Sequence, residues 1–354
     1  VMESISIIDG KHAELGKNAI PDVLSKALSV SFDTNIGHDY IDNADERFDF
    51  YHLEEERLEF DLDYFNRITK GGLPKKTLNI ALAGTGVGKS LFMCHMAASA
   101  LSQGKNVLYI TMEMSEERIA ERIDANLLNV PIDQLEHLSK DSFTKKVQNI
   151  ATKTNGKLII KEYPTGSAHA NHFRALLNEL KLKRNMIPDI IFIDYLNICS
   201  SARMKGMGGS INSYSYIKSI AEELRGLAVE FDVPVVSATQ TTRGGYNNDD
   251  VGLEDTSESF GLPATADLMF ALIVNDELKA SNQILVKQLK NRYNDLGANQ
   301  RFVIGVDRSK MRLYDVDQND SPLNKEEDNG PAFDNSASGQ RLLTERSNFS
   351  DFKL

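Results

Sequence analysis

The sequence predicts an α/β domain built on a mostly parallel, twisted sheet with helices on both faces and an antiparallel extension. Two observations support this fold class. Short β-rich runs alternate with helical patterns between Thr77 and Asp317. The early runs are apolar on both faces, which is typical of strands that helices cover on both sides. The expected strands are 78–83, 106–112, 157–161, 189–194, 234–238, 267–274, 284–290 and 301–306.

Helical patterns separate the early strands but not the later ones. Apolar residues recur at helical spacing in 171–183 and 216–231. His169 and His172, which precede or begin the first of these, have no ligand spacing with cysteine, so we interpret them as a helix start. Because the later runs lack long helices between them, we expect them to form the antiparallel extension.

Shorter segments flank this domain, which we place at residues 60–317. Residues 20–32 predict a short amphipathic helix with Pro21 in its first turn. This helix either packs on its own domain or docks on a neighbouring subunit. We interpret 1–19 as a disordered or truncated linker, 33–59 as an acidic linker and 318–354 as a disordered acidic tail.

Charge is unevenly distributed along the 354 residues, whose formal net charge is −11. The acidic stretches 39–63 and 315–354 carry the excess, so the middle of the chain is mildly basic and suited to phosphates. Two cysteines, Cys94 and Cys199, are too few for a disulfide framework or a four-cysteine metal site, and they fit a reducing cytoplasm. No apolar run approaches the roughly 20 residues that span a bilayer, so we expect no membrane partner.

A glycine-rich loop between a predicted strand and an apolar helix has the pattern of a phosphate-binding loop. Its glycines allow backbone N–H groups to turn toward phosphates, and the following helix directs its positive end at the same charge. Lys89 is expected to contact the β and γ phosphates, and Ser90 to bind Mg²⁺. The formal first glycine is replaced by Ala83, so a chance glycine-rich turn remains an alternative. The predicted nucleotide contacts are Ala83, Gly84, Thr85, Gly86, Val87, Gly88, Lys89, Ser90 and Leu91.

A phosphate loop also needs a carboxylate for the metal and a base for the attacking water. Asp194 ends an apolar strand and is the predicted metal ligand, but Tyr195 follows it, so the base must come from elsewhere. Glu113 follows another strand, and parallel strands end at a common edge, so it is the candidate base. The alternative for Glu113 is a helix cap. Gln240, at the end of a third strand, is expected to sense the γ phosphate or else to be an ordinary turn residue.

Taken in order, these motifs resemble the motor domain of the DnaB-type replicative DNA helicases, and particularly those of T-even-like bacteriophages. The segments that carry the resemblance extend from about residue 20 to 316 and include AGTGVGKS, LYITMEMSEERIAERIDANLL, IIFIDYLNI, PVVSATQTTR and KQLKNRY. The resemblance implies a RecA-like core that uses ATP or another nucleoside triphosphate with Mg²⁺. It further implies a homohexameric ring around single-stranded DNA, with nucleotide sites between subunits.

The resemblance also assigns residues near the end of the domain. Lys290 and Arg292 match a family pair that reaches into the neighbouring subunit's site, where the arginine acts as an arginine finger. The alternative is a solvated charge at a strand end. Residues 20–32 fall where the family has a linker helix, which favours docking on a neighbour. The sequence opens with Val1 in the middle of a pattern, so we expect an upstream segment, and the family's collar domain is not within this sequence.

Two polar loops are expected to line the channel of the ring. One, 200–215, carries Arg203 and Lys205; the other, 241–263, carries Arg243. The family has an arginine where this chain has Ser257, so the phosphate contact of that side chain is not expected here, and contacts through backbone N–H groups remain. Its remaining predicted DNA contacts are Glu258, Ser259, Phe260 and Gly261. The alternative for both loops is an ordinary mobile surface.

The leading functional hypothesis is an ATP-driven hexameric helicase that moves 5′ to 3′ on single-stranded DNA, the polarity being that of the family. Its expected partners are a primase, a helicase loader and a single-strand binding protein. A recombinase or circadian-clock-type ATPase with the same core but without unwinding is one alternative. A catalytically idle ring or loader is another, against which the intact set of predicted catalytic residues argues.

Overall fold

The computed structural model describes residues 7, 39–52, 55–203, 212–241, 252 and 261–318. The chain divides into two compact units, Val1–Glu55 and Glu56–Leu354. In the first unit the described helix is α1, Ala44–His52, within the predicted acidic linker. The predicted helix 20–32, residues 1–19 other than Ile7 and the tail beyond Gln318 lie outside the described residues.

The second unit, Glu56–Leu354, contains the predicted domain 60–317. Leu58 is 5% exposed and belongs to the hydrophobic core of this unit. The described strands are β1 (Arg57–Leu58), β2 (Leu73–Pro74), β3 (Leu78–Ala83), β4 (Val107–Thr111), β5 (Leu158–Glu162), β6 (Ile190–Asp194), β7 (Val235–Gln240), β8 (Leu268–Ile273), β9 (Gln283–Asn291), β10 (Arg301–Asp307) and β11 (Arg312–Asp315).

Helices connect most of the parallel strands. The described helices of this unit are α2 (Asp63–Thr69), α3 (Lys89–Ser102), α4 (Glu116–Leu127), α5 (Lys140–Ala151), α6 (Ala170–Arg184), α7 (Ser213–Phe231), α8 (Gly261–Thr265) and α9 (Asp276–Ala280), with 3₁₀ turns at Ile132–His137 and Leu196–Ile198. His169 caps α6, and His172 completes its capping box, as expected of a helix start. None of the helices that the structure describes is long and apolar enough to cross a membrane.

The main sheet has nine strands in the order β11-β10-β9-β8-β3-β7-β6-β4-β5. The strands from β8 to β5 in this order pair in parallel, whereas β9, β10 and β11 add in antiparallel fashion. The predicted fold class is therefore confirmed. The sequence did not indicate β11 or the short antiparallel pair of β1 and β2.

Two apolar layers cover the sheet because successive strand residues point to opposite faces. Ala81 belongs to the layer under α2, α3 and α4, and its neighbour Ile80 to the layer under α6 and α7. In the first layer Phe65 packs edge-on against Phe270, with ring centroids 5.1 Å apart. This double coverage explains why the early strands are apolar throughout.

Asp124, in α4, provides a test of how burial affects stability. Burial raises the pKa of its carboxyl to about 6, whereas the unfolded chain has the ordinary value of 3.8. The folded state therefore holds this proton more tightly, so stability falls as the pH rises from 3.8 to about 6, and the full cost of the charged carboxylate is present above about pH 6. We expect Asp124→Asn to stabilise the domain at pH 8 by about 1–2 kcal/mol after allowance for solvent screening, and by about half as much at pH 5.

Thermal or urea unfolding at the two pH values measures this difference. The control is Glu117→Gln, which removes an exposed carboxylate from the first turn of the same helix. An equal effect of Asp124→Asn at pH 5 and pH 8 would show that the burial of its charge does not govern the change.

Candidate nucleotide-binding site

Four predicted site residues lie at one edge of the sheet, where the parallel strands end. β3 lies beside β7, with Ala83 opposite Gln240. β6 lies on the other side of β7 and next to β4, with Asp194 opposite Thr111, two residues before Glu113. The phosphate loop that follows β3 therefore lies at the same edge as the ends of β7, β6 and β4.

The loop between β3 and α3 has the backbone of a phosphate cradle. Gly86 and Gly88 adopt φ angles of 76° and 138°, which residues with a side chain rarely do. α3 begins at Lys89, so its N-terminal N–H groups and partial positive charge lie against the loop. Leu91 is buried in the core, so its backbone alone is available to a phosphate, whereas Thr85 is exposed.

Lys89 is held over the loop. Its Nζ donates to Ala83 O at 3.3 Å and to Gly84 O at 3.2 Å, and the residue is 8% exposed. Burial lowers the pKa of Lys89, while the charges of Glu113 and Asp194 raise it. The ammonium is thus desolvated inside the cradle, a position in which a bound phosphate would replace the missing water.

Asp194 fits a divalent cation. It is fully buried, and Oδ2 accepts a hydrogen bond of 2.9 Å from the Tyr109 hydroxyl. Within the described part of the chain, Oδ1 is buried without a hydrogen-bond partner. Burial raises the pKa of Asp194, whereas Tyr109 and the Ser90 hydroxyl lower it. An unpaired carboxylate oxygen near a hydroxyl is a donor set that Mg²⁺ prefers.

Tyr109 is a site residue that the sequence analysis missed. It lies in β4, is fully buried and stacks on Phe192, so its sequence context indicates only a core aromatic residue. Its hydroxyl donates to one oxygen of Asp194 and leaves the other oxygen available to a cation. Cys94 in turn donates to the Tyr109 hydroxyl at 3.9 Å.

We expect Tyr109→Phe to raise the Mg²⁺ concentration needed for nucleotide binding about 10-fold, because hydrogen bonds to a metal-binding carboxylate orient it. Titration of a fluorescent nucleotide at graded Mg²⁺ measures the effect. Tyr293→Phe is the matched control, since it removes the hydroxyl of a half-buried tyrosine that donates to Asn79 Oδ1 at 2.6 Å. Equal Mg²⁺ dependence in the two variants would contradict this role of Tyr109.

Glu113 is exposed at the same edge, two residues after β4. The residue that caps α4 is Ser115, whose side chain accepts from Arg118 N, so the helix-cap alternative for Glu113 is not realised. The charge of Glu113 influences the pKa values of Lys89 and Asp194. A carboxylate in this position is available to bind a water molecule beside the phosphate loop.

Gln240 and Tyr195 connect the end of β7 to the loop. Gln240 Nε2 donates to the Tyr195 hydroxyl at 3.2 Å, and the Tyr195 ring centroid lies 6.0 Å from Lys89 Nζ. The sequence analysis assigned no role to Tyr195 and noted only that it follows Asp194. Tyr195 therefore lies between Gln240 and Lys89 of the phosphate loop.

Arg308 is a second residue that the sequence analysis missed. It lies in the turn between β10 and β11, and its Nη1 donates to Val87 O at 3.5 Å. β10 runs parallel to β8 because each is antiparallel to β9. This turn therefore brings a cation to the phosphate-loop edge, and no local motif indicated it.

Lys290 and Arg292 lie at the opposite edge of the sheet from the phosphate loop. Lys290 pairs with Met269 near the start of β8, whereas Ala83 pairs with Leu272 near the end of that strand. At about 3.3 Å per residue the two edges are roughly 10 Å or more apart. Neither side chain is placed to serve the phosphate loop of its own chain.

The predicted DNA contacts are described only in part. Arg203 Nη1 donates to Glu222 at 2.7 Å, and its backbone N–H donates to Glu223. Gly261 is buried at the start of α8. Lys205, Arg243, Glu258, Ser259 and Phe260 lie outside the described residues.

The fold and site define a class: a nucleotide-binding domain with a phosphate loop on a RecA-like sheet. Residues 58–305 match the family described as the DnaB-like helicase C-terminal domain. The chain therefore belongs to this family, which confirms the resemblance found in the sequence.

Individual relatives agree with this assignment. The chain is 47% identical over 307 residues to a DnaB-like replicative helicase of Enterobacteria phage T4, covering 86% of this chain and 64% of that protein. It is 29% identical over 205 residues to the replicative DNA helicase DnaB of Helicobacter pylori (strain ATCC 700392 / 26695), covering 57% of this chain and 40% of that protein. The chain thus spans less than two thirds of the length of these relatives.

Solved structures show the same fold. A solved structure of a DnaB-like replicative helicase and its interactions with primase superposes with a TM-score of 0.69. The two sequences are 17% identical, and the match covers 89% of this chain and 76% of that one. A second solved structure, described as an ATPase domain, superposes with a TM-score of 0.65 at 18% identity, over 79% of this chain and 100% of that domain.

Proposed function

We propose that this chain is the motor of a hexameric replicative DNA helicase that hydrolyses ATP, or another nucleoside triphosphate, with Mg²⁺. The observation that carries the proposal is the division of the catalytic set between two edges of one sheet. Lys89, Asp194 and Glu113 lie at one edge, and Arg292 lies at the other. A complete site then requires two copies of the chain, with the second copy supplying Arg292.

Each residue has a distinct role in the proposed reaction. The loop N–H groups and Lys89 bind the β and γ phosphates, while Glu113 orients the attacking water and accepts its proton. Ser90 and Asp194 would hold Mg²⁺, which neutralises phosphate charge when bound. Arg292 of the next subunit stabilises the charge that spreads over the transferring phosphoryl oxygens. Gln240 passes the state of the γ phosphate toward the loop that follows β7.

The proposed partners follow from the family and from the polar, partly basic sequence of two loops. Residues 200–215 and 241–263 are proposed to contact the backbone of single-stranded DNA in the channel. Residues 20–32 are proposed to dock on the neighbouring subunit. A primase, a helicase loader and a single-strand binding protein are proposed as further partners at the replication fork.

A DNA-dependent hydrolysis assay combined with strand displacement on a forked substrate tests this proposal. We expect single-stranded DNA to stimulate hydrolysis and the 5′-tailed fork to be unwound. Stimulation with filament formation and without unwinding would favour the recombinase alternative. Nucleotide binding without hydrolysis would favour an idle ring. Glu113→Gln, which should retain nucleotide binding but lose turnover, is the control for a contaminating nuclease or ATPase.

A further inference from the structure

Arg292 does not extend freely from the end of β9. Its Nη1 donates to Asp267 Oδ1 at 2.7 Å, its Nη2 donates to Ala264 O at 3.3 Å, and its backbone N–H donates to Asp267 O at 3.0 Å. The Arg292 side chain is nevertheless 46% exposed. It is therefore held at two nitrogens while the rest of the planar group is accessible from outside the chain.

Asp267 is itself fixed to the sheet. Its side chain is 5% exposed, and Oδ2 accepts from Leu78 N at 3.0 Å. The Asp267 N–H donates to Leu78 O at 2.8 Å. Leu78 is the first residue of β3, the strand that ends in the phosphate loop. The carboxylate that holds Arg292 is thus attached to a rigid central strand and not to a surface loop.

A second arginine shares this carboxylate. Arg225 in α7 donates through Nε to Oδ2 and through Nη2 to Oδ1 of Asp267, both at 3.1 Å. Lys290 lies beside them, since its Nζ and Arg292 Nη2 both donate to Ala264 O. Burial lowers the pKa of Lys290, the charges of Arg292 and Arg225 lower it further, and Asp267 raises it. The single negative charge of Asp267 therefore allows Arg225, Lys290 and Arg292 to lie close together. The cluster keeps a net positive charge.

We propose that Asp267 is the positioning residue for Arg292. It holds the guanidinium in the orientation in which Arg292 contacts the nucleotide of the neighbouring subunit. The inference rests on the proposed role of Arg292 in trans. A guanidinium held by a buried carboxylate loses little rotational freedom when it meets a phosphate, and small displacements of such a group are costly. Asp267 is buried and bonded to Leu78, Arg225 and Arg292, so its effect on catalysis passes through Arg292.

Asp267→Asn is the direct test, because it keeps the size of the side chain and removes its charge. Turnover is expected to fall about 10- to 100-fold. The affinity of the variant's own phosphate loop for a fluorescent nucleotide is expected to stay within about twofold, since that loop lies at the other edge. Asp276→Asn, which removes an exposed carboxylate in the first turn of α9, is the control and should retain normal turnover.

Mixing experiments separate positioning from a general loss of structure. An Asp267→Asn subunit has an intact phosphate loop, so mixing it with Glu113→Gln, which has an intact Arg292, should recover turnover. Mixing Asp267→Asn with Arg292→Ala should recover none, since neither supplies a well-placed arginine. Recovery in this second mixture, or normal turnover of Asp267→Asn alone, would overturn the inference.

Two further comparisons make every outcome informative. If Asp267→Asn does not fold, Asp267→Glu replaces it, because it keeps the charge but displaces the guanidinium. This variant should lose turnover alone and regain it when mixed with Glu113→Gln. Normal turnover of Asp267→Glu alone would refute the positioning role. If the mixture of Arg292→Ala with Glu113→Gln recovers no turnover, the proposed role of Arg292 in trans is itself contradicted. A failure of the proposed function is thereby distinguished from a failure of the role of Asp267.

Discussion

Lys89→Ala is expected to abolish nucleotide hydrolysis, with a loss of at least about 100- to 1000-fold in turnover. Lys89 is the buried cation of the phosphate loop, with its ammonium against the carbonyls of Ala83 and Gly84. Its removal takes a preorganised positive charge away from the oxygens on which charge develops. Phosphate release under saturating nucleotide measures the loss.

The fold should tolerate this change. Burial of Lys89 is unfavourable and lowers its pKa, so alanine removes a desolvated charge together with the hydrogen bonds. Thermal unfolding should therefore show a folded variant. Lys76→Ala is the control, because Lys76 forms an exposed ion pair with Asp232 just before the start of β3, at the end of that strand opposite the phosphate loop. Residual turnover within tenfold of the unmodified chain would exclude Lys89 as the phosphate ligand.

Arg292→Ala is expected to reduce turnover about 10³- to 10⁵-fold, the range found for arginine fingers. Nucleotide binding should remain, because Arg292 and the phosphate loop of the same chain lie at opposite edges of the sheet. This separation of turnover from binding distinguishes a residue that acts in trans from one that binds its own nucleotide. Single-turnover hydrolysis and a nucleotide titration on the same preparation provide the two measurements.

Arg184→Ala, at the exposed end of α6, is the matched control for the loss of an arginine. It should leave both turnover and binding unchanged. If Arg292→Ala weakened nucleotide binding as much as turnover, the residue would serve stability or its own site, and the composite site would be wrong.

Local patterns predicted the strands and the loop well because those features depend on neighbouring residues. The alternation of apolar runs and helices indicated β3 to β10, and the order of motifs placed Asp194 and Glu113 at one edge. β11 was not predicted, since Arg312–Asp315 is short and only partly apolar.

The residues that support the catalytic set depend on contacts between distant parts of the chain. Tyr109 reaches Asp194 across two paired strands, and Asp267, just before β8, reaches Arg292, just after β9. In the sequence, Tyr109 has the pattern of a core aromatic residue, and Asp267 has the pattern of a residue at the start of a strand. Arg308 meets the loop through a hairpin whose register no local pattern specifies. Such residues become visible only when the sheet order is known.

The central claim is that each site needs an arginine from another copy of this chain, and mixing inactive variants tests it most directly. Arg292→Ala retains the phosphate loop and Glu113, whereas Glu113→Gln retains Arg292. Each variant alone should be inactive, and their mixture should regain turnover at interfaces that join the two intact halves. Phosphate release from the mixture, measured over a range of ratios, should pass through a maximum. A mixture that stays inactive at every ratio, while both variants bind nucleotide and assemble, would contradict the account.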